Sequence, residues 1–243
     1  MRGRAVGDAA GAQRIQDSAG RSRNLSQQSA DVYSPDSSAG SCAPEEMGLL
    51  ERLIGTGCPA IDHYHYDIGE FALTGCPPPF EDAAVAYAPR RMVLDKLLVD
   101  AAVEAGAELR EGFTVEGLTT SGDTVTGIRG TVGKRRGITE EAHVVIGADG
   151  PNSIVARQVK APEYNAMAPF MRTHFSYWSG VKIDGAEVYP RDYRFVYGWS
   201  TNDGLALVGV MWALSRFPKL PHTVEESFFE VVDEVAPNLA ARL

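Results

Sequence analysis

The chain has 243 residues, a net charge of -9, and 44% hydrophobic and 23% charged residues. That length can bury a sizeable core. The acidic balance excludes a nucleic-acid binder, which needs a basic face for phosphates. No apolar run approaches the roughly 18–20 residues of a membrane helix.

The arginines near the N-terminus have no apolar segment of about 7–15 residues behind them, so no signal peptide is expected. The three cysteines, Cys42, Cys58 and Cys76, are odd in number and widely spaced. They fit neither a disulfide framework nor a zinc site. The expected class is a reduced, cytoplasmic protein with no metal centre.

Composition breaks near Met47. Before it, the large apolar residues are Val6, Ile15, Leu25, Val32 and Tyr33, and there is no lysine. Such a stretch buries too little apolar surface to offset chain entropy, so residues 1–47 are expected to be irregular. Val6-Gly7-Asp8-Ala9-Ala10-Gly11 has the look of a phosphate-binding turn. It lacks a preceding strand and a following apolar helix face, so it is discounted.

From Gly48 the text is that of a globular protein. Gly48–Gly55 reads as a short helix, and Cys58–Leu73 has room for one or two strands. Cys76-Pro77-Pro78-Pro79 reads as a loop. Arg91–Ala105 is the clearest helix, with Leu94, Leu97, Leu98, Ala101, Ala102 and Ala105 on one face and Gly106 as its C-cap. Strands are expected at Ala107–Arg110, Phe113–Leu118 and Thr124–Arg129, the last two joined by Ser121-Gly122-Asp123. Val144-Val145-Ile146 reads as a buried strand ending in Gly147-Ala148-Asp149-Gly150-Pro151-Asn152-Ser153. Arg194–Trp199 and Leu205–Trp212 read as a hairpin, because Asn202-Asp203-Gly204 tolerates positive φ. Val224–Val235 has helical spacing.

Three places could carry chemistry. An aspartate at the end of a buried strand can accept hydrogen bonds from a ribose, and flanking glycines let a diphosphate approach. The competing reading of the same turn is an ordinary helix cap by Asp149 or Ser153. Arg90 and Arg91 at a helix start oppose the helix dipole unless an anion sits nearby; a diphosphate would supply one, and a solvated surface charge is the alternative. His63 and His65 alternate as on one strand face, but no further ligands are spaced to complete a metal site. Trp178, Trp199 and Trp212 read as sheet core.

In order and spacing these segments resemble the middle of an FAD-dependent monooxygenase of the p-hydroxybenzoate hydroxylase-like fold, with geranylgeranyl reductase-like enzymes as relatives. The resemblance rests on Tyr87-Ala88-Pro89-Arg90-Arg91-Met92-Val93-Leu94, on the helix through Ala107, and on Val145 to Ser153 with Arg157 beyond. It implies an α/β fold. Residues 48–160 would be a partial, Rossmann-like FAD-binding domain, and residues 161–243 a mixed or antiparallel-sheet substrate domain. It implies FAD and NAD(P)H as cofactors and a small organic substrate. Arg91 would lie near the FAD diphosphate, and the backbone of Val115 near the adenine. Gly147, Asp149, Gly150 and Arg157 would belong to the Asp-Gly motif associated with FAD and NAD(P)H. No motif assigns a catalytic base.

The implied activity is oxidation: NAD(P)H reduces FAD, and one oxygen of dioxygen passes to the substrate. The alternatives are reduction of isoprenoid double bonds and a non-catalytic, ligand-binding remnant. Two parts of the family pattern are unmatched, the N-terminal Gly-rich dinucleotide turn and the C-terminal Gly-Asp motif, so impaired flavin binding is expected.

The N-terminal break also permits a frame reading. Shifted by one base, residues 1–47 can encode a text such as A-M-L-L-A-R-K-G-Y-R-T-L-L-V-D-R-G, resembling the family's first helix and second strand with its acidic end. The Met47–Gly48 codons force tryptophan in that frame, and one lost G there would explain the break. On this reading residues 1–47 are translated out of frame and pack on nothing.

Overall fold

A computed structural model gives the fold, and it describes residues 13–16, 22–26, 47–79, 84–216 and 223–243. In chain order the strands are β1 (Gln13–Gln16), β2 (Ser22–Ser26), β3 (Ala60–Ile61), β4 (Tyr64–Asp67), β5 (Ala72–Gly75), β6 (Ala86–Tyr87), β7 (Phe113–Ser121), β8 (Thr124–Val132), β9 (Arg135–Glu141), β10 (Met171–Ser179), β11 (Ala186–Arg191), β12 (Arg194–Ser200) and β13 (Leu205–Ala213). The helices are α1 (Leu50–Gly55), α2 (Arg91–Glu104), α3 (Ile154–Gln158), α4 (Val224–Val235) and α5 (Pro237–Ala240). The architecture is mixed α/β, as expected.

The chain divides into two compact units. The first comprises Met1–Ala101 with Pro169–Leu243, and the second Ala102–Ala168. The expected division at residue 160 therefore differs from the observed one: residues 48–101 group with the last third.

The first unit is built on a sheet of order β1-β2-β10-β13-β12-β11-β4-β5. All neighbours are antiparallel except β11 and β4. Alternation along β13 places Ala206, Val208, Val210 and Trp212 on one buried face. Helix α4 covers that face with Phe228, Val231, Val232 and Val235, spaced three and four apart. Thr223 caps it, accepting from the Glu226 amide while the Glu226 carboxylate accepts from the Thr223 amide. Trp178 stacks on Phe228 at 6.3 Å. On the opposite face Ile61, Tyr64, Ala186, Tyr197 and Trp199 form a second cluster. The three tryptophans are sheet core, as expected.

The β12–β13 hairpin is also as expected. Its turn places Asp203 at φ 63° and Gly204 at φ 66°. Helix α2 ends where Gly106, at φ 101°, reverses the chain. The Gly106 amide bonds Val103 O, and the Ala107 amide bonds Ala102 O. On α2 the half-buried stripe is Val93, Leu94, Leu97, Leu98 and Ala101, whereas Ala102 and Ala105 are exposed, unlike the expected face.

The second unit contains the three-stranded antiparallel sheet β7-β8-β9. The Ser121-Gly122-Asp123 turn joins β7 and β8 as expected. Two expectations fail here. Ala107–Arg110 forms no strand. Val144–Ile146 forms none either, and Val144 is 75% and Ile146 83% exposed. A short apolar run becomes a buried strand only when neighbours pair with its backbone and cover its faces. No described strand does either here.

The expectation for residues 1–47 also needs correction. Ser26, Leu25 and Asn24 of β2 pair with Phe175, Ser176 and Tyr177 of β10, and β1 pairs with β2. An edge strand offers unpaired backbone groups, and pairing to them requires no apolar segment. The remainder of that segment, including Val6–Gly11, lies outside the described residues.

Candidate functional site

The turn after Ile146 is built by its own side chains. One oxygen of the Asp149 carboxylate, Oδ2, accepts from the amides of Ile154 at 2.6 Å and Val155 at 3.4 Å. Ser153 is the N-cap of α3, its Oγ accepting from the Ala156 amide at 2.9 Å. The Ser153 hydroxyl, followed by the backbone amides, holds the Asp149 carboxyl below the usual carboxylate range despite some desolvation. Asp149 is therefore an ionised group fixed at a helix start. Gly150 lies at φ 80°, where a side chain would be strained. Gly147 lies flush against α3, since a Cβ there would stand 2.7 Å from Val155 Cβ.

This geometry is the helix-capping arrangement set against nucleotide binding above. The two are compatible. The turn from Ile146 to Asn152 is exposed throughout, so its carboxylate and backbone remain accessible to a ligand.

Arg157 is exposed in the last turn of α3, where its charge complements the helix dipole. Val115 is half-buried in β7, next to a bulge at Glu116. The neighbour of Arg157, Gln158, binds that bulge: its Oε1 accepts from the Leu118 amide at 2.7 Å, and its Nε2 donates to Glu116 O at 3.4 Å. Gln158 thereby docks α3 on the strand that carries Val115. Sequence reasoning missed Gln158; the only available signal was Gly117 interrupting a strand pattern.

Five of the six candidate positions thus belong to the smaller unit, and Arg91 to the sheet unit. Arg91 Nε donates to Asp95 Oδ1 at 2.6 Å, and its side chain is exposed. Arg90 Nη1 donates to Asp203 Oδ2 at 2.5 Å, and its guanidinium lies 5.6 Å from the centre of the Tyr177 ring. The anions beside both arginines are the protein's own aspartates. An exposed i,i+4 pair such as Arg91–Asp95 is weak enough to yield to a phosphate.

His65 belongs to β4 and bonds Thr74 at 2.8 Å, while His63 precedes the strand and bonds Asp62 at 2.6 Å. Among the described residues no cluster of three or more His, Cys, Asp or Glu is placed to hold a metal. No helix among them is long and apolar enough to cross a membrane.

The chain matches the FAD binding domain family over residues 45–215. It belongs to that family. All six candidate residues fall inside the matched span. Within the smaller unit, an ionised Asp149 on an open turn beside a glycine at positive φ suits the hydroxyls and phosphates of the family's cofactor. Within the sheet unit, an exposed arginine at a helix start suits a phosphate.

Solved structures share the fold. A triple mutant of the flavin-dependent brominase Bmp2 aligns with TM-score 0.70 at 18% identity, over 84% of this chain and 53% of its own. The myxobacterial chondrochloren halogenase CndH, an FAD-dependent halogenase, aligns with TM-score 0.70 at 16% identity, over 85% and 49%. PqsL of Pseudomonas aeruginosa, described as a probable FAD-dependent monooxygenase and also solved with 2-aminobenzoylacetate, aligns with TM-score 0.64 at 17% identity, over 88% and 62%. At these identities the likeness is one of fold. The chain spans about half the length of the first two of these proteins. No curated protein matches the chain.

Proposed function

We propose that the protein is an FAD-dependent oxidoreductase, and specifically an NAD(P)H-dependent monooxygenase of a small organic substrate acting in the cytoplasm. The observation that carries this reading is the family match over residues 45–215. Bound FAD supplies the redox chemistry, accepting reducing equivalents from NAD(P)H and, once reduced, activating dioxygen. The protein's share is binding and orientation. Arg91 would exchange its contact with Asp95 for the FAD diphosphate. The Asp149 carboxylate would accept from a cofactor hydroxyl, and Gly150 would let the backbone come close. By the family resemblance the Val115 backbone would face the adenine, and Arg157 would add positive charge at the end of α3.

Titration of the purified chain with FAD tests this, read as quenching of flavin fluorescence. Saturable binding is expected, weakened about tenfold or more by Arg91→Ala, which corresponds to about 1.4 kcal/mol. Retention of no flavin would overturn the reading. One observation favours a non-catalytic, ligand-binding remnant instead: the apolar segment Val144–Ile146 stands open. On that reading the chain binds no FAD and consumes no NAD(P)H.

The frame reading of residues 1–47 is a separate proposal. It rests on codon compatibility, and the pairing of β2 with β10 stands against it. Re-reading the coding DNA through Gly48 decides it. An additional G at the Met47–Gly48 codons supports the shifted text, and codons that cannot spell that text end the proposal.

A further inference from the structure

The β12–β13 turn was legible in the sequence only as a backbone conformation. Its side chains do something further. Thr201 Oγ1 donates to Ala88 O at 2.7 Å. Asn202 Oδ1 accepts from the Arg90 amide at 2.9 Å. Asp203 Oδ2 accepts from Arg90 Nη1. Three consecutive turn residues thus grip Ala88-Pro89-Arg90, the segment that delivers the chain into α2.

The other end of the Asn202 amide is also occupied. Its Nδ2 donates to Thr56 O and to Thr56 Oγ1, both at 3.1 Å, at the C-cap of α1. Thr201 and Asn202 are 2% and 1% exposed. Polar side chains buried to that degree are costly unless their hydrogen bonds are made, and they impose one geometry when they are. The backbone at Arg90 is held in turn: its carbonyl accepts from the amides of Val93 at 2.9 Å and Leu94 at 3.1 Å, which begins the helix.

We propose that the Thr201–Gly204 turn is a positioning cradle that fixes the start of α2 and thereby aims Arg91 at the FAD diphosphate. Asn202 is its central residue, and it acts through Arg91. The hairpin belongs to the large sheet, so the cradle ties the placement of a cofactor-binding arginine to that sheet. This inference rests on the proposed function, since it assigns Arg91 a diphosphate to meet. It gives these turn residues a role that the hairpin signal does not assign.

The test is a double-mutant cycle on the full chain, read as FAD dissociation constants, with amide hydrogen exchange measured on the FAD-free protein. Asn202→Ala and Arg91→Ala are each expected to weaken FAD binding about tenfold, and the double variant to be no weaker than about tenfold. Exchange at Arg90 to Leu94 is expected to speed up about tenfold or more in Asn202→Ala, with β12 and β13 unchanged. Thr201→Val is expected to weaken binding in the same way, and Thr201→Ser, which keeps the hydroxyl, to restore it.

Effects that multiply to about a hundredfold, or an unchanged affinity in Asn202→Ala where Arg91→Ala weakens binding, would overturn the cradle alone. So would acceleration of exchange throughout β12 and β13, which would make Asn202 a purely structural residue. Absence of FAD binding in the unmodified chain, or an Arg91→Ala variant without effect, would instead overturn the reading of the site and the cradle's purpose with it.

Discussion

In the sheet unit, Val196, Ala206, Val208 and Val210 are fully buried, and α4 adds Phe228, Val232 and Val235 to the same core. In the smaller unit, residues 102–168, no apolar side chain is buried. Val144, Ile146, Tyr164 and Met167 are exposed there, although Val144-Val145-Ile146 has the composition of a central strand. The difference lies in partners. Strands β10, β11, β12 and β13 pair in register, and α4 packs on one face of that group. The 144–146 segment pairs with no described strand, and Val144 and Ile146 stay exposed. Apolar composition provides the driving force for burial, but burial requires a second surface to meet.

This contrast can be broken by truncating large side chains on each side of it. Phe228→Ala is expected to cost about 3–5 kcal/mol, because it empties a core position that nothing can refill. Ile146→Ala is expected to stay within about 0.5 kcal/mol, as for an exposed site. Urea unfolding of both variants checks this, and a large loss at Ile146 would mean that the segment is covered in solution.

A smaller effect is expected at Glu187 of β11. The Glu187 carboxylate accepts from Arg242 Nη1 at 2.8 Å and from the Tyr189 hydroxyl at 2.6 Å. Burial pushes the Glu187 carboxyl up, but the bonds from Arg242 and Tyr189 outweigh it and hold the group below its ordinary range. A carboxylate depressed by folding stabilises the fold above its unfolded pKa, about 4.3, and that stability is lost as pH falls through the folded value. Arg242→Ala is expected to cost about 1–3 kcal/mol near neutral pH, discounted because the arginine is about one-third exposed. Its acid unfolding limb should be correspondingly flatter. Denaturation across a pH series measures both.

At the Asp149 turn the expected change is local. Asp149→Asn should speed amide exchange at Ile154 and Val155 and weaken FAD binding, without moving the unfolding midpoint of the sheet unit. The smallest effect concerns thiols. Burial pushes the Cys58 thiol up to about 11, so a thiol reagent at neutral pH should modify exposed Cys76 and spare Cys58 in the folded protein. Mass mapping of the labelled peptides checks this.

Periodicity made much of the sheet unit readable. The spacing over Val224–Val235 marks α4, and Asn202-Asp203-Gly204 marks the hairpin turn, because both signals are local. Three features were beyond such reasoning. The fate of Val144–Ile146 depends on strands elsewhere. The pairing of β2 with β10 uses backbone groups, which composition does not reveal. The grip of Asn202 on Thr56 and Arg90 joins residues more than a hundred positions apart. The Asp149–Gly150 turn was legible as a turn because its glycine spacing is local, whereas Gln158 carries no signature of its role in docking α3.

The most direct test is site-resolved hydrogen exchange on the purified chain. The account predicts slow exchange in β10, β12, β13 and α4, and exchange close to that of an unstructured peptide over residues 144–148. Protection of Val144 to Ile146 comparable to that of β13 would contradict it, and would show that the smaller unit buries its apolar strand after all.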